Sequence, residues 1–254
     1  MQRDWRSFWI VQYRSPSGFL DIEGDPKELL RRLGLYSYKS NGSVRVLTER
    51  AEFKILKALL KLGRANVYEI SRFSKDIGHY STILRALRRM EKKNLVRIVL
   101  EGKTGRSKKV YQVTVLGEII GSLAKDGWKG AAERIATRSS RFQDCQKAHQ
   151  SFDPYYYWHR TQDIIENLVH PSTNKGLQSD LEEVVVECEF RWIKTFVIEK
   201  LSARDNRSEN LHILQKLSNI DWIRPVIIQY IADYVGEEKE WLKIIDDFKR
   251  KLVS

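Results

Sequence analysis

Gly102-Lys103-Thr104, inside the stretch LEGKTGRSKKVYQVT from Leu100 to Thr114, are the residues that close the phosphate loop of nucleotide triphosphatases. That loop needs a glycine five residues upstream and a helix directly after the Lys-Thr pair, because backbone amides and a helix N-terminus surround the phosphates. Arg97 holds the upstream position, and downstream Val110-Tyr111-Gln112-Val113 alternates in the manner of a strand. Leu95 to Leu100 is a second strand candidate. The glycines and cations therefore fall at the tip of a hairpin, not in a nucleotide cradle.

Two other groupings could do chemistry. Cys145 and His149 stand at i, i+4 with His159 close in sequence, but no second close pair completes a metal set, so neither metal nor cofactor is expected. Glu182, Glu183, Glu187 and Glu189 flank a β-branched run, as carboxylates do on the strand of a metal-dependent nuclease. Read as a helix, however, Leu181, Val184, Val185, Cys188 and Trp192 form one apolar stripe and the glutamates turn mostly to solvent. No Glu-X-Lys follows Glu187 or Glu189, and sequence order alone yields no nucleophile-base pair. The expectation is a protein that is not an enzyme.

The charge points elsewhere. The chain of 254 residues carries a formal net charge of +12. Residues 47–118 hold 17 Lys/Arg against 7 Asp/Glu, whereas residues 119–254 hold 20 against 21. A cationic centre of this kind suits a polyanion, since each phosphate neutralised releases condensed counterions. No apolar run reaches the ~18 residues of a membrane helix and no charged-then-apolar leader opens the chain, which makes a cytoplasmic protein the expectation. The two cysteines suggest neither a disulfide framework nor a zinc knuckle.

The elements that carry this charge can be read in order. From Thr48, the residues Ala51, Ile55, Leu56, Leu59 and Leu60 make one helical stripe that stops at Gly63. Asn66 with Glu69 three residues on is a capping-box pair for a short second helix, whose buried side would be Val67, Ile70 and Phe73. After a turn at Asp76-Ile77-Gly78, a third helix over 79–93 places Ile83, Leu84, Leu87 and Met90 inward and its cations elsewhere. Helix, short helix, turn, basic helix and cation-tipped hairpin is the order of a winged helix-turn-helix.

On Tyr68-Glu69-Ile70, LRALRRMEKKNL from Leu84 to Leu95, Gly105-Arg106 and Tyr111-Gln112-Val113-Thr114, residues 51–123 resemble the winged-helix domain of PadR-like transcription regulators, and more distantly that of MarR-like ones. Gly117 follows, and the chain returns to helix through EIIGSL. Asn94 stands where those families usually place a glycine, a substitution that the left-handed tolerance of asparagine allows. Val67 stands where they often have another.

On this reading the third helix is the recognition helix, with Tyr80, Ser81, Thr82 and Arg85 as candidates for base edges in the major groove. Arg85 leads, because a guanidinium can pair bidentately with guanine. Arg88, Arg89 and Lys92 are candidates for the backbone. The wing over 101–109 presents Lys103, Arg106, Lys108 and Lys109 to phosphates or the minor groove.

The fold class expected is mainly α with a small β-wing: a winged helix-turn-helix domain over 47–123 followed by an α-helical domain over 124–254. Residues 1–46 read as an N-terminal extension. A hairpin about Ser15-Pro16-Ser17-Gly18 precedes a short helix from Asp25-Pro26 that carries Leu29, Leu30 and Leu33, and Trp5, Phe8 and Trp9 read as core. In the last domain, helices are expected over Trp128–Ala148, Tyr155–Val169, Leu181–Leu201, Glu209–Leu217, Trp222–Val235 and Glu237–Leu252. The aromatic stretch DPYYYWHR from Asp153 reads first as core and second as a pocket or partner surface. Trp192, Phe196, Trp222, Ile227, Ile228 and Trp241 must fill a core or a subunit interface. The functional expectation is a sequence-specific regulator of double-stranded DNA, homodimeric, with 124–254 serving dimerisation, a protein partner or a small effector. The alternative is a plasmid or virus maintenance factor that uses the winged helix as a DNA anchor.

Overall fold

The computed structural model describes residues 26–41, 44–73, 75–100, 109–149, 154–170, 180–202, 207–235 and 250. The protein is mainly helical, with two small antiparallel sheets among these residues. Helix α1 (Pro26–Arg32) opens on a proline, whose fixed φ suits a first turn, and buries Leu29 and Leu30. Strands β1 (Tyr36–Asn41) and β2 (Val44–Glu49) then pair from Tyr36↔Glu49 to Asn41↔Val44. Sequence reading places a hairpin at Ser15-Pro16-Ser17-Gly18 instead, outside the described residues; β1 hides from it because tyrosine, serine and lysine replace an aliphatic alternation.

Helix α2 (Ala51–Leu62) buries Phe53, Ile55, Leu56, Ala58 and Leu59 and ends on Gly63 at φ 72°. Strand β3 (Arg64–Asn66) follows, three residues that sequence reading does not anticipate. Helix α3 (Val67–Phe73) starts on the expected reciprocal cap: Asn66 Oδ1 accepts from the Tyr68 and Glu69 amides, and Glu69 Oε2 accepts from the Asn66 amide at 2.7 Å. Val67 and Ile70 are buried, but Phe73 is 46% exposed, contrary to expectation. The helix stops at this residue, so no further turn covers the ring, and the Lys61 ammonium lies 5.9 Å from its centroid.

Helix α4 (Tyr80–Lys92) buries Ile83, Ala86, Leu87 and Met90 completely, and the chain leaves it through Asn94 at φ 55°. Strands β4 (Val96–Leu100) and β5 (Val110–Val113) form the expected hairpin. The sheet order is β3-β5-β4, with Ala65 opposite Tyr111 and Arg97 opposite Gln112.

Helix α5 (Val115–Arg138) is capped by Thr114, whose hydroxyl accepts from the Gly117 amide at 3.1 Å and donates to the Asn94 carbonyl. Glu118 and Arg138, twenty residues apart, form an ion pair at 2.6 Å, where a straight helix would hold them roughly 30 Å apart. The helix folds back on itself at Gly127, φ 66° and ψ −156°. The single helix expected over Trp128–Ala148 is divided at Ser139, whose Oγ accepts from the Phe142 amide and so starts α6 (Ser140–His149). Helices α7 (Pro154–Val169), α8 (Leu181–Ser202), α9 (Arg207–Ser218) and α10 (Arg224–Val235) complete the described chain. Trp222 lies in the turn before α10, and of the helix expected over Glu237–Leu252 only Arg250 is described.

One apolar core runs from Leu29 of α1 through α2, α4 and α5 to Val184, Val185 and Cys188 of α8. A second gathers Cys145, Ile193, Phe196, Leu214, Leu217, Ile223 and Ile227, with Trp192, Trp222 and Ile228 packed against it. The large apolar residues of the last helices thus fill a core, apart from Trp241, outside the described residues. Among the described residues no helix is long and apolar enough to cross a membrane.

Candidate nucleic-acid interface

With Ile83, Ala86, Leu87 and Met90 pressed into the core, the opposite side of α4 is set by helical geometry. Ser81, Arg85, Arg88 and Lys92, at i, i+4, i+7 and i+11, make one exposed stripe there. No acidic residue lies in the first turn, and no side chain caps the N-terminus at His79. Tyr80 is 60% exposed beside this end, while Thr82 is half-buried. The Arg85 Nε–H donates to the Ser81 carbonyl at 3.3 Å, which lays the side chain back along the stripe towards that same end.

Arg89 behaves differently from its neighbours. Its Nε–H donates to Glu52 Oε1 at 2.7 Å, and Arg50 lies 3.7 Å from the other carboxylate oxygen. Glu52 is 5% exposed. A buried carboxylate on α2 therefore fixes a cation on the flank of α4. Lys93, just past the helix, donates from Nζ to the Leu33 carbonyl, and burial pulls its pKa below the ordinary lysine value.

The hairpin meets the same helix at its base. The phenol of Tyr111 is pushed up, first by burial and then by Glu91, while Lys109 and Arg88 pull it the other way. Lys109 is exposed just before β5, two residues before Tyr111. Lys103, Arg106 and Lys108 lie outside the described residues, as does the glycine-bearing tip.

Three exposed cations on α3, β3 and β4 are not among the contacts expected from the sequence. Arg97 donates from Nη2 to Gln112 Oε1 at 3.1 Å across the β4–β5 pair, an exposed position that its alternation with Val96 and Ile98 signals. Arg72 lies over the Tyr68 ring at 5.8 Å, an i, i+4 pair on α3 with Tyr68 60% exposed. Arg64 is exposed on β3, a strand too short to carry any periodic signal.

The groups weighed for other chemistry are mostly built into the scaffold. Glu182, expected mostly in solvent, accepts from the Ser139 hydroxyl and the Ser140 amide, each at 2.9 Å, and ties the start of α8 to that of α6. Glu189, likewise expected outside, is 1% exposed; α8 is covered by neighbours on more sides than its apolar stripe alone indicates. In DPYYYWHR, Tyr157 donates to the Gln146 carbonyl at 2.6 Å and meets Phe142 edge-on, while Trp158 meets Trp128 edge-on. Arg160 is 4% exposed, paired with Asp163 at 2.9 Å, and burial pushes the Asp163 carboxyl up against the pull of Arg160 and Arg191. No cluster of three potential metal ligands occurs among the described residues.

Comparisons with known proteins return no matching family model, no significantly similar curated protein and no significantly similar solved structure.

Proposed function

We propose that the protein is a sequence-specific double-stranded DNA-binding regulator of transcription, in which residues 47–123 act as a PadR-like winged helix-turn-helix. The observation that carries this reading is the outer stripe of α4, where Ser81, Arg85, Arg88 and Lys92 stand opposite a wholly buried face. A helix so presented can enter a major groove with its N-terminal residues at base edges and its later cations at phosphates. The order α2, β3, α3, α4 and the β4–β5 hairpin supports the same reading, because it brings the base of the hairpin beside that helix. The protein acts in the cytoplasm as a homodimer, since two small readers on symmetric half-sites add binding energies that one cannot supply. The helices beyond the reader then serve dimerisation, an effector or a protein partner.

Titration of a duplex with the full chain at several salt concentrations tests the proposal. About six phosphate contacts give a slope near −5 in log K against log salt, and a slope near zero removes DNA binding altogether. Light scattering tests the dimer. A monomer with and without DNA would favour a maintenance factor that is merely anchored by the same domain.

A further inference from the structure

The Glu52–Arg89 pair combines two unlike environments. The Glu52 side chain is 6% exposed, whereas that of Arg89 is 48% exposed. The carboxylate takes the Nε–H of the guanidinium, and the remaining donors belong to the terminal nitrogens at the far end of the fork. Arg89 follows Arg85 by one turn, with Lys92 and Lys93 next to it along the chain. Phosphate is the ligand chemistry that such an arrangement fits: a planar fork held at one edge by a buried anion offers its other edge with little conformational freedom left to lose.

We propose that Glu52 is a positioning residue for DNA, which holds Arg89 on the flank of α4 so that its outer nitrogens grip a backbone phosphate. Arg50, 3.7 Å from the second carboxylate oxygen, keeps the surroundings of Glu52 cationic despite the buried acid. The inference rests on the DNA-binding reading and adds to it a division of labour. Arg85 reads, and Arg89 anchors through a residue that never meets the nucleic acid.

The test is a double-mutant cycle on the full chain, with a mixed-sequence duplex as probe. Arg89→Ala is expected to loosen binding ~5–10-fold and to flatten the salt slope by about one. Glu52→Gln is expected to loosen it ~3–10-fold when Arg89 is present and less than ~2-fold in the Arg89→Ala background. The direction is diagnostic, because removing an acidic charge near DNA otherwise tightens binding. Tighter or unchanged binding by Glu52→Gln, or an equal loss in both backgrounds, overturns the positioning role. Arg89→Lys decides the matter if the buried substitution fails to fold. Lysine keeps the charge but lacks the planar fork whose two edges face carboxylate and phosphate separately, so it should bind clearly more weakly than the unaltered protein; wild-type affinity would overturn the proposal. If the unaltered protein binds no duplex at any salt, it is the DNA-binding reading that fails.

Discussion

Gly117 lies so close to Leu95 that a Cβ added to it would stand 2.2 Å from the Leu95 carbonyl oxygen and 2.6 Å from Val113 Cγ1. The obstacle is backbone, which cannot swing aside, so Gly117→Ala must push the start of α5 away from the residue that follows the α4 turn. A loss of ~1–3 kcal/mol is expected, the range of overpacking in a tight core. Urea unfolding measures it, and a loss below ~0.5 kcal/mol would show that the contact yields.

Gly127 is costly to replace for a different reason. A Cβ there meets nothing within 4 Å, but φ 66° with ψ −156° belongs to a region that glycine alone adopts readily. Gly127→Ala should therefore destabilise by ~1–3 kcal/mol without any clash. Strain in the fold-back also predicts that Gly127→Asn is no better than alanine, since asparagine tolerates the ordinary left-handed basin and not this one. A thermal scan in which asparagine restores stability would count against this account.

Reader and anchor should separate in binding measurements. Arg85→Ala is expected to cost ~1–3 kcal/mol on a preferred site and to relax preference at one or two base pairs. Lys109→Ala should weaken all duplexes alike and lower the salt slope. Equal weakening of preferred and random DNA by Arg85→Ala would mean that α4 is not the reading element.

The two thiols carry a pH dependence. Burial pushes Cys188 up to about 12 and Cys145 in the same direction, whereas an unfolded cysteine titrates near about 8.5. A folded pKa raised above the unfolded one stabilises fully below the unfolded value and less as pH climbs towards the folded value. Stability should thus be unaffected by these groups below about pH 8 and fall by ~1.4 kcal/mol per pH unit per thiol above about pH 9. Cys188→Ala should reduce that slope. Neither thiol should react with iodoacetamide in the native protein at about pH 9, where an ordinary thiol does so readily. Fast labelling of either would contradict its burial.

What could be read from the chain alone followed from local physics. The inward side of α4 shows itself by period, the start of α3 by the Asn66–Glu69 pair, and the exit from α4 by Asn94, because each depends on residues within a turn or two. Features created by distant parts of the chain left no such trace. Glu189 looks like a surface residue until α8 is packed, and Arg89 looks like one more cation until Glu52 of α2 lies beneath it; a break before Trp128 is expected, but not that the two segments fold back on each other at Gly127. Where α4 presents its cations was legible. Which of them is already held by the protein was not.

The pairing of β3 with β5 has a consequence for the order in which the molecule assembles. Ala65 faces Tyr111 across the ladder, and between them lie α3, α4 and β4. Closing that loop costs chain entropy, which no local contact repays, so the helices form first and the central sheet last. Backbone amides of β3 and β5 are therefore expected to exchange through opening of the sheet alone, while the helices of the reader stay folded; β3 is a three-residue edge strand. Deuterium uptake there is expected to outpace uptake at the buried turns of α4, and equal protection of sheet and helix would mean that the two form together.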